Sequence, residues 1–386
     1  MGEAHPSLPA VVEETDEEIA FHFSDTRQRT IVASMFILVA IIGTLGNFLV
    51  IFAVIISKKL RTATNAFVVN LAVADLLTAL CVPWNAVALL GFEGLPVPEP
   101  FCTVAAGVMF TCVGCSLYTL ASIAVNRLIL ITRPLHVYKK LFRPKFIMTT
   151  IMFIWLIPLC LAVVPPFFGA GALGYNEKYH TCSGKSAHKN SNTYDVIQAL
   201  GLYPIPLVTI IGCYVIIYVH VRKHVQKMRR KEREGTELSY SASGSFVENN
   251  SKTPTRPPSS TNNSKIPNNN LNSTIRRENR SKLSRRQVEI TKNLFYVVCA
   301  FFVCLTPYSI CLVYDASDPA VPYTGAFVLF NSCINPIIYA TKHPYFKQVF
   351  KCILQCKWHN VPEPASFVRS LRSTKDANCC GNTSCL

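Results

Sequence analysis

Apolar residues in this chain run in seven long blocks, at about 31–56, 66–90, 102–131, 146–168, 195–221, 290–313 and 321–341, with polar and charged residues gathered between them. Each block supplies the ~20 residues a helix needs to cross a bilayer core of ~30 Å. The pattern therefore predicts an all-α membrane protein, a seven-transmembrane helix bundle. Asp75 in the second block costs about 2.5–3.5 kcal/mol at a helix centre, but Phe67, Val68, Leu71, Leu76 and their apolar neighbours each return about 0.3–0.6, so the block still inserts. Pro204 and Pro206 in the fifth block, and Pro322 and Pro336 in the seventh, fit a bundle whose neighbouring helices satisfy the carbonyls they free. Beyond the seventh block, Phe346, Val349, Phe350, Ile353 and Leu354 recur at helical spacing opposite Lys347, Gln348 and Lys351. That spacing predicts a short amphipathic eighth helix along the inner membrane face.

Seven crossings put the two termini on opposite sides. Lys58, Lys59 and Arg61 follow the first block, and Arg133, Lys139, Lys140, Arg143 and Lys145 follow the third, which makes these connections cytoplasmic. Glu93 and Glu99, Asp315 and Asp318, and the acidic N-terminus (Glu13, Glu14, Asp16, Glu17, Glu18) face outward. The expected organisation is an extracellular N-terminus (1–30), a seven-transmembrane domain (31–341) and a cytoplasmic helix and tail (342–386), in the plasma membrane. Residues 222–287 begin and end with basic clusters around a Ser-, Asn-, Thr- and Pro-rich middle, a composition expected of a disordered third cytoplasmic loop. Sequons lie at or beside Asn249, Asn263, Asn272 and Asn279 in that loop, so sugar there would reverse the topology. The first forty residues carry no cleavable leader pattern, and the first block is expected to direct insertion itself. Pro6 stands where N-myristoylation requires Ser or Thr.

Composition narrows the class. Half the residues are hydrophobic and 16% charged, and the formal charge of +16 sits between the blocks rather than on an amphipathic face, which argues against nucleic acid. Of 16 cysteines, most lie inside apolar blocks, as small hydrophobes, or in the final basic stretch. Cys102 and Cys182, between helices, are left as the good disulfide candidates. Cys352 and Cys356 are either palmitoylation sites or plain thiols. No metal-ligand cluster of the Cys/His type, phosphate-binding glycine loop or nucleophile beside a base is evident, so the chain does not read as an enzyme.

Polar residues inside the blocks each need a partner or a role. Asn47, Asp75, Ser116, Asn331 and Asn335 come from four helices at similar depth. They make either a hydrogen-bonded packing network or a site for a small hard cation such as sodium, with Asp75 the charged ligand and Ser116, Asn331 and Asn335 neutral ones.

Gly46 and Asn47; Leu71 through Asp75; Asn126 and Arg127; Trp155; Pro206 and Tyr214; Phe301 and Pro307; and Asn335 through Tyr339 together resemble the rhodopsin-like (class A) G-protein-coupled receptors in order and spacing, over about residues 31–354. The resemblance implies a Cys102–Cys182 disulfide, an ion site at Asp75, an outward-opening ligand pocket and coupling to heterotrimeric G proteins at the inner face. It places Met109, Val113, Gln198, Leu202, Tyr308, Gly325 and Leu329 along the pocket, with His180 and Asp195 near its mouth. Met109 stands where amine receptors carry aspartate, and Leu329 where opsins carry the retinal lysine. An unknown neutral, lipidic or indole-like extracellular ligand fits such a lining. Arg127 becomes the coupling switch, to be held by Tyr214 and Tyr339 when helices bend at Pro307 and Pro336.

Three departures matter. Asn126 replaces the usual acid before the arginine, Gln287 replaces the facing acid of helix six with Glu289 two residues on, and Cys304, Leu305 and Thr306 precede Pro307 without the usual tryptophan. One restraint on the resting form is thereby weakened, and elevated ligand-free signalling is expected. The Asn126–Arg127 pair is similar to melatonin receptors and to the invertebrate moody-type orphan receptors, but melatonin receptors typically carry alanine where Pro336 stands. An orphan of that broad group is favoured over a melatonin-like receptor. A seven-helix transporter or channel is the rival class, though no internal repeat supports it. In the tail, Ser366, Ser370, Ser373 and Thr374 lie beside Arg369 and Arg372, where receptor kinases and arrestin would act. The final Ser384, Cys385 and Leu386 resemble a PDZ-domain ligand.

Overall fold

The fold is given by a computed structural model, which describes residues 21–91, 94–244, 295–311, 315–366 and 368–369. Its helices are α1 (Thr26–Ile56), α2 (Ala63–Leu90), α3 (Glu99–Thr132), α4 (Leu135–Leu141), α5 (Pro144–Phe167), α6 (Ser191–Leu202), α7 (Pro204–Gly244), α8 (Phe295–Cys311), α9 (Val321–Lys342) and α10 (Pro344–Leu354). Among the described residues six helical stretches are long and apolar enough to cross a membrane, α6 and α7 counting as one, and α8 is a shorter apolar seventh. Rows of large apolar side chains such as Leu45, Phe48, Met148 and Val208 stand exposed around the outside, as a lipid-facing surface requires. The chain is a multi-pass membrane protein.

Differences from the sequence pattern have local causes. Residues 222–244 were expected to open a disordered loop, yet α7 continues through them to Gly244. Lys, Arg, Gln, Met and Glu between 222 and 234 are strong helix formers, and an established helix adds residues cheaply. The rest of that loop, the first twenty residues and the tail from Ser370 lie outside the described residues. So do the sequons, Gln287, Glu289, Ser373, Thr374 and the final three residues. The fifth crossing is interrupted at Tyr203, because Pro204 and Pro206 supply no N–H there. The connection between α5 and α6 contains an antiparallel hairpin, β1 (Leu173–Asn176) and β2 (Thr181–Gly184).

Polar side chains complete the helices that prolines interrupt. Pro336 leaves the Ser332 carbonyl without its helical donor, and Asn47 Nδ2 donates to that oxygen from α1 at 2.8 Å. Pro165 and Pro166 do the same to Leu161 and Ala162. Gln198 Nε2 donates to the Leu161 oxygen at 2.7 Å and the Tyr194 hydroxyl to the Ala162 oxygen at 3.2 Å. Small residues let backbones close up. A Cβ on Gly46 would stand 2.9 Å from the ring of Pro336, so α1 and α9 touch there only because the residue is glycine.

At the hairpin end, Cys102 and Cys182 form the disulfide, with Cα atoms 4.9 Å apart. Asn85 Oδ1 accepts from Cys182 N–H at 2.8 Å, pinning β2 to α2 as well as α3. Lys178 and Asp318 pair at 2.7 Å, the Tyr179 hydroxyl donates to Asp318 at 2.6 Å, and Phe23 packs edge-on against Tyr323, so the hairpin turn, the chain before α1 and the residues before α9 meet over the bundle. Arg29 is buried, donating from Nε to the Leu89 oxygen at 2.6 Å and from Nη2 to the Gly91 oxygen at 2.5 Å. It caps the carbonyl end of α2 where a cation is favoured.

At the opposite, arginine end, α10 does not lie with its apolar face bare for lipid. Phe346, Val349 and Phe350 are buried in the main core with Leu60 and Tyr339. His343 caps α10, its Nδ1 accepting from Phe346 N–H. Burial first, and Arg127 second, push the His343 imidazole down to about 4, so it is neutral at physiological pH and free to accept.

Candidate functional site

The buried polar residues of α1, α2, α3 and α9 converge on Asp75. One carboxylate oxygen accepts from Ser116 Oγ at 3.3 Å and Ser332 Oγ at 3.1 Å, and the other from Asn335 Nδ2 at 2.7 Å. No ion pair among the described residues includes Asp75. Around it, Asn47 Oδ1, Asn331 Oδ1 and Asn335 Oδ1 are buried and accept no hydrogen bond from any described residue. A cavity of about 10 Å³ opens beside the carboxylate, lined by Asp75, Thr78, Ser116, Asn331 and Ser332 together with Val113, Phe301 and Leu329. That is room for about one water-sized particle. A full negative charge, hydroxyls and unsatisfied amide oxygens around such a space form a hard-cation donor set. Sequence reading brought Asp75, Ser116, Asn331 and Asn335 together correctly. It missed Ser332, which lies one position from Asn331 and looked like ordinary helix filler.

The second constellation lies at the arginine end. Asn126 and Arg127 are both buried. Thr64 Oγ1 donates to Asn126 Oδ1 at 2.6 Å, and Asn126 Nδ2 donates to the Tyr138 hydroxyl at 3.2 Å. Where an acid would hold the neighbouring arginine, the amide instead ties α3 to α2 and α4. Tyr138 and Tyr214 lie within electrostatic reach of the Arg127 guanidinium. The hydroxyls of Tyr214 and Tyr339 are buried without a hydrogen bond to any described residue. These are donors and acceptors held in reserve, since a buried hydroxyl with no partner costs ~1–3 kcal/mol. Phe301 sits between the two constellations, on the cavity wall, and Pro307 lies within α8.

The seven pocket residues do not all fall together. Val113 and Leu329 border the cavity, and Tyr308 faces Gly325, whose Cβ position is 3.8 Å from the tyrosine ring. Met109 Sδ accepts from Asn85 Nδ2 at 3.3 Å. Gln198 is a correction: its amide nitrogen is taken by the carbonyl that Pro165 frees, so it completes α5 rather than reaching inward for a ligand. Leu202 is another, packed in the core against the position where Gly114 has no Cβ. His180, in the hairpin turn at φ 52°, hydrogen-bonds through Nδ1 with the Tyr175 hydroxyl at 2.5 Å, and burial, with Arg29 nearby, holds it below the usual histidine range. Of the lipidation candidates, Cys352 is buried under protein and Cys356 is exposed.

A bundle of membrane-crossing helices with a disulfide-pinned hairpin over one end and a buried arginine at the other defines a seven-helix receptor-type fold. The chain belongs to the 7 transmembrane receptor (rhodopsin family), whose model matches residues 46–339. It is a receptor and not an enzyme. It is similar to the G-protein coupled receptor moody of Drosophila melanogaster, with 26% identity over 92% of this chain and 55% of that protein. It is similar too to the melatonin receptor type 1A of Mus musculus, with 27% identity over 83% of this chain and 79% of that one. The chain spans about half the length of the moody proteins it matches. The crystal structure of squid rhodopsin shares the fold, at a TM-score of 0.63 and 20% identity over 86% of this chain and 88% of that chain. Both groups named from the Asn126–Arg127 pair are thus among its relatives, and identity alone does not separate them.

Proposed function

We propose that the chain carries an extracellular signal to heterotrimeric G proteins at the plasma membrane, with the hairpin end outside and the arginine end in the cytosol. The observation that carries this reading is Arg127, buried at the end of α3 between tyrosines whose hydroxyls have no other partner. Bending of α8 and α9 at Pro307 and Pro336 would bring those hydroxyls to the guanidinium and open a crevice for a G-protein helix. Val113, Leu329, Tyr308 and Gly325 remain as the inner lining for a neutral apolar ligand. The test is a panel of G proteins co-expressed with the full chain and read for ligand-free nucleotide exchange. At least one subtype is expected to exchange above receptor-free membranes, and silence of the whole panel would count against the reading.

The Asp75 donor set fits a sodium ion, held by Asp75 and Ser116 with the oxygens of Asn331 and Asn335 and the hydroxyl of Ser332. A bound cation would supply the positive charge this buried carboxylate lacks and would favour the closed packing of α2, α3 and α9. Coupling between sites of ~1–3 kcal/mol corresponds to a ~5–150-fold change. Sodium is therefore expected to lower ligand-free exchange by about fivefold or more relative to a large organic cation. In Asp75→Asn the two salts should give the same rate. A sodium effect that survives the substitution would rule the site out.

Asn126 bears on basal activity. It spends its amide on Thr64 and Tyr138, leaving Arg127 without the acid that commonly restrains it, and supports a receptor with high resting output. Asn126→Asp restores a charge pair of ~1–3 kcal/mol in a buried setting. Exchange without ligand is expected to fall at equal surface expression, and equal rates for the two forms would contradict the assignment.

A further inference from the structure

After α10 the chain turns back and docks on the loop that follows α1. Lys58 N–H donates to the Glu363 oxygen at 2.8 Å and Ala365 N–H to the Ile56 oxygen at 2.8 Å, forming an antiparallel bridge that pairs Ser57 with Pro364. The Ser57 hydroxyl, wholly buried, donates to the Pro362 oxygen at 2.6 Å. Val361, Ala365 and Val368 are buried in the same core as Ile56 and Leu60, and Trp358 packs edge-on against Phe52 of α1. The surface pair Lys59–Glu363 adds little. The segment is shaped for this seat. Pro362 and Pro364 preset an extended backbone at low entropic cost, and Glu363 between them is held at φ 46°, which a non-glycine residue keeps only where its surroundings fix it.

We propose that residues 358–366, with Val368 and Arg369, act as a strap whose binding surface is the groove between loop 57–62 and α10, and that the docked strap restrains the resting form. The connection to the switch is physical. The strap grips α10, whose Phe346 ring stacks on Tyr339 of α9 at 5.5 Å, three residues beyond Pro336. A swing of α9 about Pro336 has to carry α10 with it and pull the strap from its groove. The strap thus supplies a restraint in a chain whose arginine lacks the usual acid. This rests on the receptor reading above.

The experiment uses the full chain in native membranes, with cysteines at Ser57→Cys and Pro364→Cys and a protease site inserted in 245–290. Bridge partners of this kind stand about 4.5 Å apart at Cα, within disulfide range. After oxidation and cleavage, the two fragments stay joined without reductant only if the strap is docked, and neither single variant should join them. Joined receptor is expected to exchange nucleotide about fivefold more slowly or less, with recovery on reduction. The undocked double variant Val361→Asp, Ala365→Asp should exchange several-fold faster than wild type at equal surface amount. Fragments that separate overturn the docking, and joined fragments with unchanged exchange overturn the restraint. In either case exchange that still disappears with Arg127→Ala leaves the receptor reading standing. Exchange indifferent to Arg127→Ala removes that reading, and the restraint with it.

Discussion

Arg127→Ala is expected to reduce ligand-free nucleotide exchange to the receptor-free background, a loss of more than about tenfold, equivalent to ~1.4 kcal/mol or more, while the protein reaches the cell surface undiminished. The two halves of that expectation have different physical sources. Exchange is lost because the guanidinium is the group that Tyr214 and Tyr339 would gain on opening. Without it their hydroxyls gain nothing from the movement, and the open form loses its stabilisation. Stability is retained because the closed form keeps Arg127 almost fully buried with no salt-bridge partner among the described ion pairs. Removing a buried charge spares its desolvation, so the closed form should be unharmed. Exchange measured beside surface labelling separates the outcomes. Equal loss of both would mean that Arg127 serves folding and not coupling.

Cys182→Ser should have the largest effect on stability. The disulfide closes a loop of 80 residues in sequence, and the chain-entropy estimate for a loop of that size is about 4–5 kcal/mol. The helices and membrane already confine the unfolded chain, so the measured cost should fall toward the lower part of the ~2–5 kcal/mol range for native disulfides. The damage should be local to the hairpin end, where β2 would keep only the Asn85 hydrogen bond to the bundle. Size-exclusion profiles after heating in detergent are expected to show aggregation several degrees below wild type, with Cys102→Ser behaving identically. A larger effect of Cys182→Ser than of Cys102→Ser would mean that the hairpin sulfur does work apart from the bond.

The sequence by itself determined the crossings, the polar residues that meet at Asp75, the arginine with its two tyrosines and the pair of cysteines. These follow from one-dimensional quantities: block length against membrane thickness, and the cost of placing a polar group in hydrocarbon. Rotation of each helix about its axis was not legible, because helices apolar nearly all round carry little facing information. For that reason Gln198 read as a pocket residue when it serves the carbonyl freed by Pro165, and Ser332 was passed over beside Asp75. Arg29 gave no sign of its role either, since the carbonyls it caps lie sixty residues away. The strap is the extreme case. Val361, Pro362, Glu363 and Pro364 look like an exposed polar turn until tertiary contact supplies Ile56 and Ser57, some 305 residues earlier. Local sequence fixes what a segment can do alone, and only the packed bundle decides which distant backbone its free donors and acceptors will find.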